Sequence, residues 1–170
     1  MLGKLGTERL RLTLFLFALS ATNCARPVAP LTELPAGAKL LEAPVDTLIH
    51  EFYSGVSKRE RLVIRDASVW TAFWNQVYSG VSPKPSVPDL NPGEMVVAAT
   101  MGSRGSGGYA INIDAIYDTN DQLFVVVREV SPGSTCMVTA VITAPVIAVR
   151  LPQRTMVSFV ERTATRDCGA

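Results

Sequence analysis

With 170 residues, 48% of them hydrophobic and 18% charged, the chain reads as a single globular domain once an N-terminal leader is subtracted. Residues 1–24 carry Lys4, Arg9 and Arg11 against Glu8, and without them 13 basic and 14 acidic residues remain, a formal charge of −1. A near-neutral body offers no field to a phosphate backbone, which excludes nucleic acid as an expected partner.

The first 24 residues read as an export signal. A basic region ending at Arg11 precedes the apolar run Leu12 to Leu19, whose eight residues are too few to span a bilayer, where about 20 are needed. Small polar residues lead on to Cys24, which resembles the lipidated cysteine of a bacterial lipoprotein and would anchor the chain to a membrane. Ala21-Thr22-Asn23 departs from the usual Leu-Ala/Ser-Gly/Ala pattern, and ordinary cleavage between Ala18 and Ala25 is the alternative. A single diacylated cysteine holds only reversibly, so a firm anchor requires a further acyl chain. Residues 25–45, with Pro27, Pro30, Pro35 and Pro44, have linker composition and would reach about 25 Å as coil or about 65 Å extended. The domain is expected over 46–163, with 164–170 as a tail.

Thr47 to Tyr53 alternates Leu48, His50 and Phe52 against Ile49, Glu51 and Tyr53. Arg61 to Arg65 follows a polar turn with Leu62 and Ile64 on one face, and the two runs read as an antiparallel hairpin. The period then changes. Trp70, Phe73, Trp74 and Val77 recur at i, i+3, i+4 and i+7, the stripe of a helix capped by Asp66 or Ser68 and stopped at Gly80. Such a stripe is expected to lie on a sheet as core. Residues 81–93 hold four prolines and read as loop.

The uninterrupted apolar run Met95 to Met101 reads as a strand buried on both sides. Tyr109, Ile111, Ile113 and Ala115 alternate as its half-buried neighbour. Further strands are expected at Leu123 to Val130, Cys136 to Ile142, Val146 to Leu151 and Met156 to Arg162. The expected architecture is α+β, mostly β: a largely antiparallel sheet of seven or eight strands packed against one short aromatic helix.

Chemistry-bearing residues are sparse. His50 is the single histidine and has no identifiable partner, no G-x-S-x-G elbow occurs, and no pattern pairs two carboxylates. Two cysteines and one histidine without short spacing fall short of a zinc set, so no metal and no cofactor are expected. Cys136 and Cys168 form an even pair once Cys24 is assigned to the leader, and in an oxidising compartment they are disulfide candidates. The glycine turn GSRGSGGY lacks the Gly-Lys-Ser/Thr ending of a phosphate loop and is followed by a strand. It reads either as a β-connection requiring glycine or as a contact loop using Arg104 and Tyr109, residue types favoured at interfaces.

Three segments, RLVIRDASVWTAFW, EMVVAATMGSRGSGGYAINI and VREVSPGSTCMVTAVITAPVIAVRLP, resemble in this order the C-terminal domain family of PrcB. That family is named after the accessory subunit of a spirochaete surface protease complex, and the resemblance covers roughly residues 47–160. It implies an exported, often lipid-anchored, non-catalytic protein that supports a partner protein, by analogy an exported protease. Gly102, Arg104, Gly107, Gly108 and Tyr109 would then be the partner-binding loop, with Trp70 and Trp74 as packing residues. The Gly-Tyr loop also resembles that of chagasin-like cysteine-protease inhibitors, although Ser106 stands where their threonine would be and an extra glycine intervenes. A third alternative is a small-ligand-binding β module.

Overall fold

The computed structural model describes residues 30–168 except 32, 35, 42–44, 120 and 121, so the expected leader and Cys24 lie outside the described residues. The elements are β1 (Pro30–Leu31), β2 (Lys39–Leu40), β3 (Asp46–Glu51), β4 (Arg59–Ile64), α1 (Ala67–Val77), β5 (Glu94–Met101), β6 (Ala110–Asp118), β7 (Gln122–Pro132), β8 (Val146–Pro152) and β9 (Met156–Arg166). They form two sheets, not the single sheet expected: four strands in the order β3-β8-β5-β4, and five in the order β1-β9-β7-β6-β2. No described helix is long and apolar enough to cross a membrane.

Strand β5 organises the layers, because both its faces are apolar and both must be covered. Met95, Val97, Ala99 and Met101 point toward the second sheet, where they meet Ile111, Val125, Val127 and Phe159. Val96 and Ala98 point the other way, onto Trp70, Phe73 and Trp74 of α1. The result is helix on sheet on sheet.

Helix α1 forms as its stripe predicts. Asp66 is the cap, and its Oδ1 accepts from the amides of Ser68 (2.8 Å) and Val69 (3.1 Å). Hydrogen bonds from the Ser68 hydroxyl and these amides favour the carboxylate and hold its pKa below the usual value. Trp70, Phe73, Trp74 and Val77 are all buried. Each buried indole needs an acceptor, and the proline loop supplies both: Trp70 Nε1 donates to Pro88 O (2.7 Å) and Trp74 Nε1 to Pro85 O (3.0 Å).

Several pairings differ from the sequence expectation. β5 and β6 are not neighbours; the glycine turn between them crosses from one sheet to the other. β3 and β4 form no hairpin but occupy opposite edges of their sheet, because β8 and β5 insert between them. β7 and β9 pair in parallel from Gln122↔Met156 to Pro132↔Arg166, since the chain visits the other sheet as β8 between them. Cys136 to Ile142 is loop, and only the bridge Arg104↔Thr143 joins this region to another segment in sheet fashion.

The alternation of β6 breaks at a register shift between Ile113 and Ala115. Ile116 therefore joins Ile111 in the core between the sheets, while Ala115 and Tyr117 pack on the outer face. Asp114, at the irregularity, accepts from Arg128 Nε at 2.6 Å. Two short stretches of the expected linker pair with the five-stranded sheet, β1 beside β9 and β2 beside β6. β9 itself runs past the expected end of the domain to Arg166.

Candidate functional site

Three loops meet at one end of the sandwich: residues 52–58, 102–109 and 133–145. They hold one another through the backbone. Arg104 and Thr143 exchange amide bonds (2.7 and 3.0 Å), Gly107 N donates to Thr139 O (2.9 Å), and Ala144 N donates to Phe52 O (2.9 Å). Thr143 Oγ1 donates to Ser106 O (2.9 Å), and Ser54 Oγ to Ala144 O (2.7 Å). Buried Val56 and the Gly55 N to Val77 O bond (3.0 Å) tie the first loop to α1. The Cys136–Cys168 disulfide ties the third to the end of the chain. An intramolecular bridge of this kind fits an oxidising compartment.

The glycines serve this bracing. Gly102 has φ +70°, and a Cβ there would lie 2.8 Å from Ser57 O and 2.9 Å from Arg59 N. Gly107 is buried against Thr139, and Gly108, at φ +85°, leaves room for Pro132 and Val138. Each of these three positions is thus accounted for by close approach within the chain.

Arg104 and Tyr109 lie together. The Arg104 guanidinium carbon is 5.6 Å from the Tyr109 ring centroid, and Tyr109 is half-buried with its ring against the core between the sheets. Arg104 Nε is buried without a hydrogen-bond partner, and Nη2 stands 4.0 Å from Glu129 Oε2.

Behind Arg104 lies an ionic cluster that sequence reasoning missed. Arg61 of β4 is nearly fully buried and reaches Glu161 of β9 (Nε to Oε1 and Nη2 to Oε2, both 2.8 Å) and Glu129 of β7 (2.5 Å). Arg59 donates to the same two carboxylates, at 2.8 Å to Glu129 and 2.7 Å to Glu161. Arg61 Nη1 also donates to Thr100 O and Glu60 O. Burial draws the Arg61 pKa down, but bonds to Glu161 and Glu129 outweigh it and hold it above the ordinary arginine value. The carboxylates expected to be unpaired do therefore share a site, brought together by guanidinium groups. The available signal was charge at inward positions of apolar strands: Arg61 two before Val63, Glu129 two after Val127, Glu161 two after Phe159.

Around the bracing the surface is apolar. Seven of the ten exposed large hydrophobic side chains among the described residues lie here: Phe52, Tyr53, Val81, Met137, Val138, Val141 and Ile142. Met137 is fully exposed and Ile142 is 71% exposed. Tyr53 and Thr143 line two adjoining clefts. One, of about 270 Å³, continues to Val81 and Ile142; the other, of about 280 Å³, continues to Phe52, Tyr109 and Arg166. His50 is exposed near Phe52, and among the described residues no group of three His, Cys, Asp or Glu could hold a metal.

Residues 95–152 match the family model described as PrcB C-terminal. This segment belongs to the PrcB C-terminal family. The PrcB segment runs from β5 to β8 and carries two of the three loops, 102–109 and 133–145, whole. It is narrower than the span of 47–160 over which the resemblance was drawn, leaving α1, β9 and Cys168 outside. No curated protein and no solved structure matches the chain.

Proposed function

We propose that this chain is an exported accessory protein without a catalytic site, which binds and stabilises a partner protein through the loop end, the partner being, by family analogy, an exported protease. The observation carrying this reading is the combination of exposure and rigidity. Apolar side chains protrude from loops that are mutually hydrogen-bonded and disulfide-tied, so little conformational entropy would be lost when a partner covers them. Exposed apolar clusters of this kind mark interaction surfaces. β1 runs parallel to β9, toward the loops, so a lipid tether joined to its start would attach on the side away from them.

The inhibitor alternative has less support. Tyr109 packs between the core and Arg104, and the loop that protrudes is 137–142. The two clefts at the loop end, of about 270 and 280 Å³, stand at the lower edge of the range of small-ligand sites, roughly 300–1,000 Å³. The test is a co-expressed or neighbouring exported protease assayed with and without the chain. A stabilising subunit leaves the initial rate unchanged and lengthens the active lifetime, and Met137→Asp with Ile142→Asp removes that effect. Inhibition in trans, or an effect indifferent to the double substitution, would refute the reading.

A further inference from the structure

The chemistry of the second cleft narrows the partner. Phe52, Tyr53 and Tyr109 line it with aromatic rings, Gly107 and Gly108 contribute only backbone, and Arg166 is its one charged lining residue. The backbone of Arg166 is fixed: its carbonyl accepts from Gly133 N (2.9 Å), it sits opposite Pro132 in β9, and the disulfide closes two residues later. Its guanidinium has no ion pair or hydrogen bond among the described residues. Arg104 lies outside the lining, its guanidinium carbon 5.6 Å from the Tyr109 ring centroid and its Nη2 toward Glu129, so Arg166 is the cation an insert would meet.

A purely apolar insert would strip water from Arg166 and leave it unpaired, which opposes binding. An insert carrying a carboxylate would convert the same burial into a charge-assisted bond in a partly desolvated site. The volume admits one side chain and its neighbouring group, not an extended cofactor.

We infer that this cleft takes a partner segment presenting an aromatic side chain beside a carboxylate, with the ring seated among Phe52, Tyr53 and Tyr109 and the carboxylate on Arg166. The inference rests on the docking function proposed above and names the partner's chemistry. The carboxylate can be an acidic side chain or a chain terminus.

The experiment is a chemical-shift titration of the purified, oxidised, 15N-labelled chain with three short peptides: acetyl-Phe-Asp-amide, acetyl-Ala-Phe with a free C-terminus, and neutral acetyl-Ala-Phe-amide. At least one carboxylate peptide should move the amide signals of Gly107, Gly108, Tyr109 and Arg166 with at least tenfold lower Kd than the neutral control. Whichever binds tighter identifies the source of the carboxylate. Arg166→Gln should erase the preference and leave the melting temperature unchanged. Equal binding of the neutral peptide, or a preference that survives Arg166→Gln, would overturn the inference. So would phosphatidylglycerol vesicles captured through Arg166, which would assign the cleft to a lipid surface. If the peptides show no preference while Met137→Asp with Ile142→Asp still abolishes the partner effect, this inference alone falls; if that pair is also silent, the docking function falls with it.

Discussion

Arg61 of the four-stranded sheet and Glu161 of the five-stranded sheet are joined by two hydrogen bonds of 2.8 Å across the interior of the sandwich. The apolar layer of Val63, Val127 and Phe159 thus gives way, toward the loop end, to a buried ionic layer. Arg59 and Glu129 complete it, and Arg104 extends it toward the surface. The cluster links the two sheets beneath the loops that carry the candidate docking surface.

Removing Arg61 leaves two carboxylates near the interior with only the half-exposed Arg59, and Arg104 at 4.0 Å from Glu129, as cations. Arg61→Ala should therefore destabilise the domain by about 3–5 kcal/mol, the usual result of breaking a buried pair from one side. Replacing Arg61, Glu129 and Glu161 together by apolar residues of similar volume should cost much less. Urea unfolding of the single and triple variants makes the comparison. A single variant as stable as the parent would mean that the cluster contributes nothing net.

The disulfide closes a long loop, with a sequence separation of 32. In the chain-entropy model it should contribute about 3–4 kcal/mol through the unfolded state. Cys136→Ser with Cys168→Ser should lower the urea midpoint accordingly, and thiol titration of the parent should reveal this pair only after reductant. Free thiols at both positions in the unreduced protein would contradict the bridge.

Two glycines in one turn should respond oppositely. Gly102→Ala forces a Cβ against Ser57 O and the Arg59 amide at positive φ, so it should lower the melting temperature by several degrees. Gly105 has nothing within 4 Å of its would-be Cβ and no positive φ, so Gly105→Ala should be neutral or slightly stabilising. Similar melting curves for both variants would remove the structural account of the glycine turn.

Trp70 is almost wholly buried, and Trp70→Ala should cost about 3–5 kcal/mol by urea unfolding. Trp70→Phe keeps a ring but leaves Pro88 O without its donor, so its stability should fall between those of the parent and the alanine variant. A Trp70→Phe variant as damaged as the alanine one would show that the indole hydrogen bond, and not the burial of the ring, supplies most of what Trp70 contributes.

Asp66 ties stability to pH at the acid end. Its folded pKa is lowered by the bonds from Ser68 and Val69, so the folded state binds the proton less readily than the unfolded chain. The contribution is complete above the ordinary value of 3.8 and is lost as pH falls through the lower folded value. Asp66→Asn should flatten that part of the stability profile, losing the carboxylate's contribution near neutrality and approaching the parent at the acid end, as followed by melting temperature between pH 2 and about 6. An unchanged acid slope would rule the cap out as its source.

The helix was legible because its signals are local. Aromatic spacing, an Asp cap and a proline-rich exit all act within a few residues, and they act before any tertiary contact forms. β5 was legible for a similar reason: an apolar run without polar interruption must be covered on both faces, whatever covers it. The candidate loop was legible as glycine-dependent, while the exposed segment 137–142 was read as a strand because its apolar residues carry no mark of facing water.

By itself, the sequence determined the local choices of this protein: the helix and its cap, the doubly apolar strand, and the need for glycine at the turn after it. The partner strand of each edge, the two-sheet layering and the parallel run of β7 with β9 were decided only in three dimensions. The face bearing Arg59, Arg61 and Val63 shows why. Charge in an alternating strand ordinarily means water, yet here it faces inward, because the neutralising carboxylates arrive from positions 68 and 100 residues further along the chain. No local pattern encodes a partner at that distance; only the folded arrangement brings it within 3 Å.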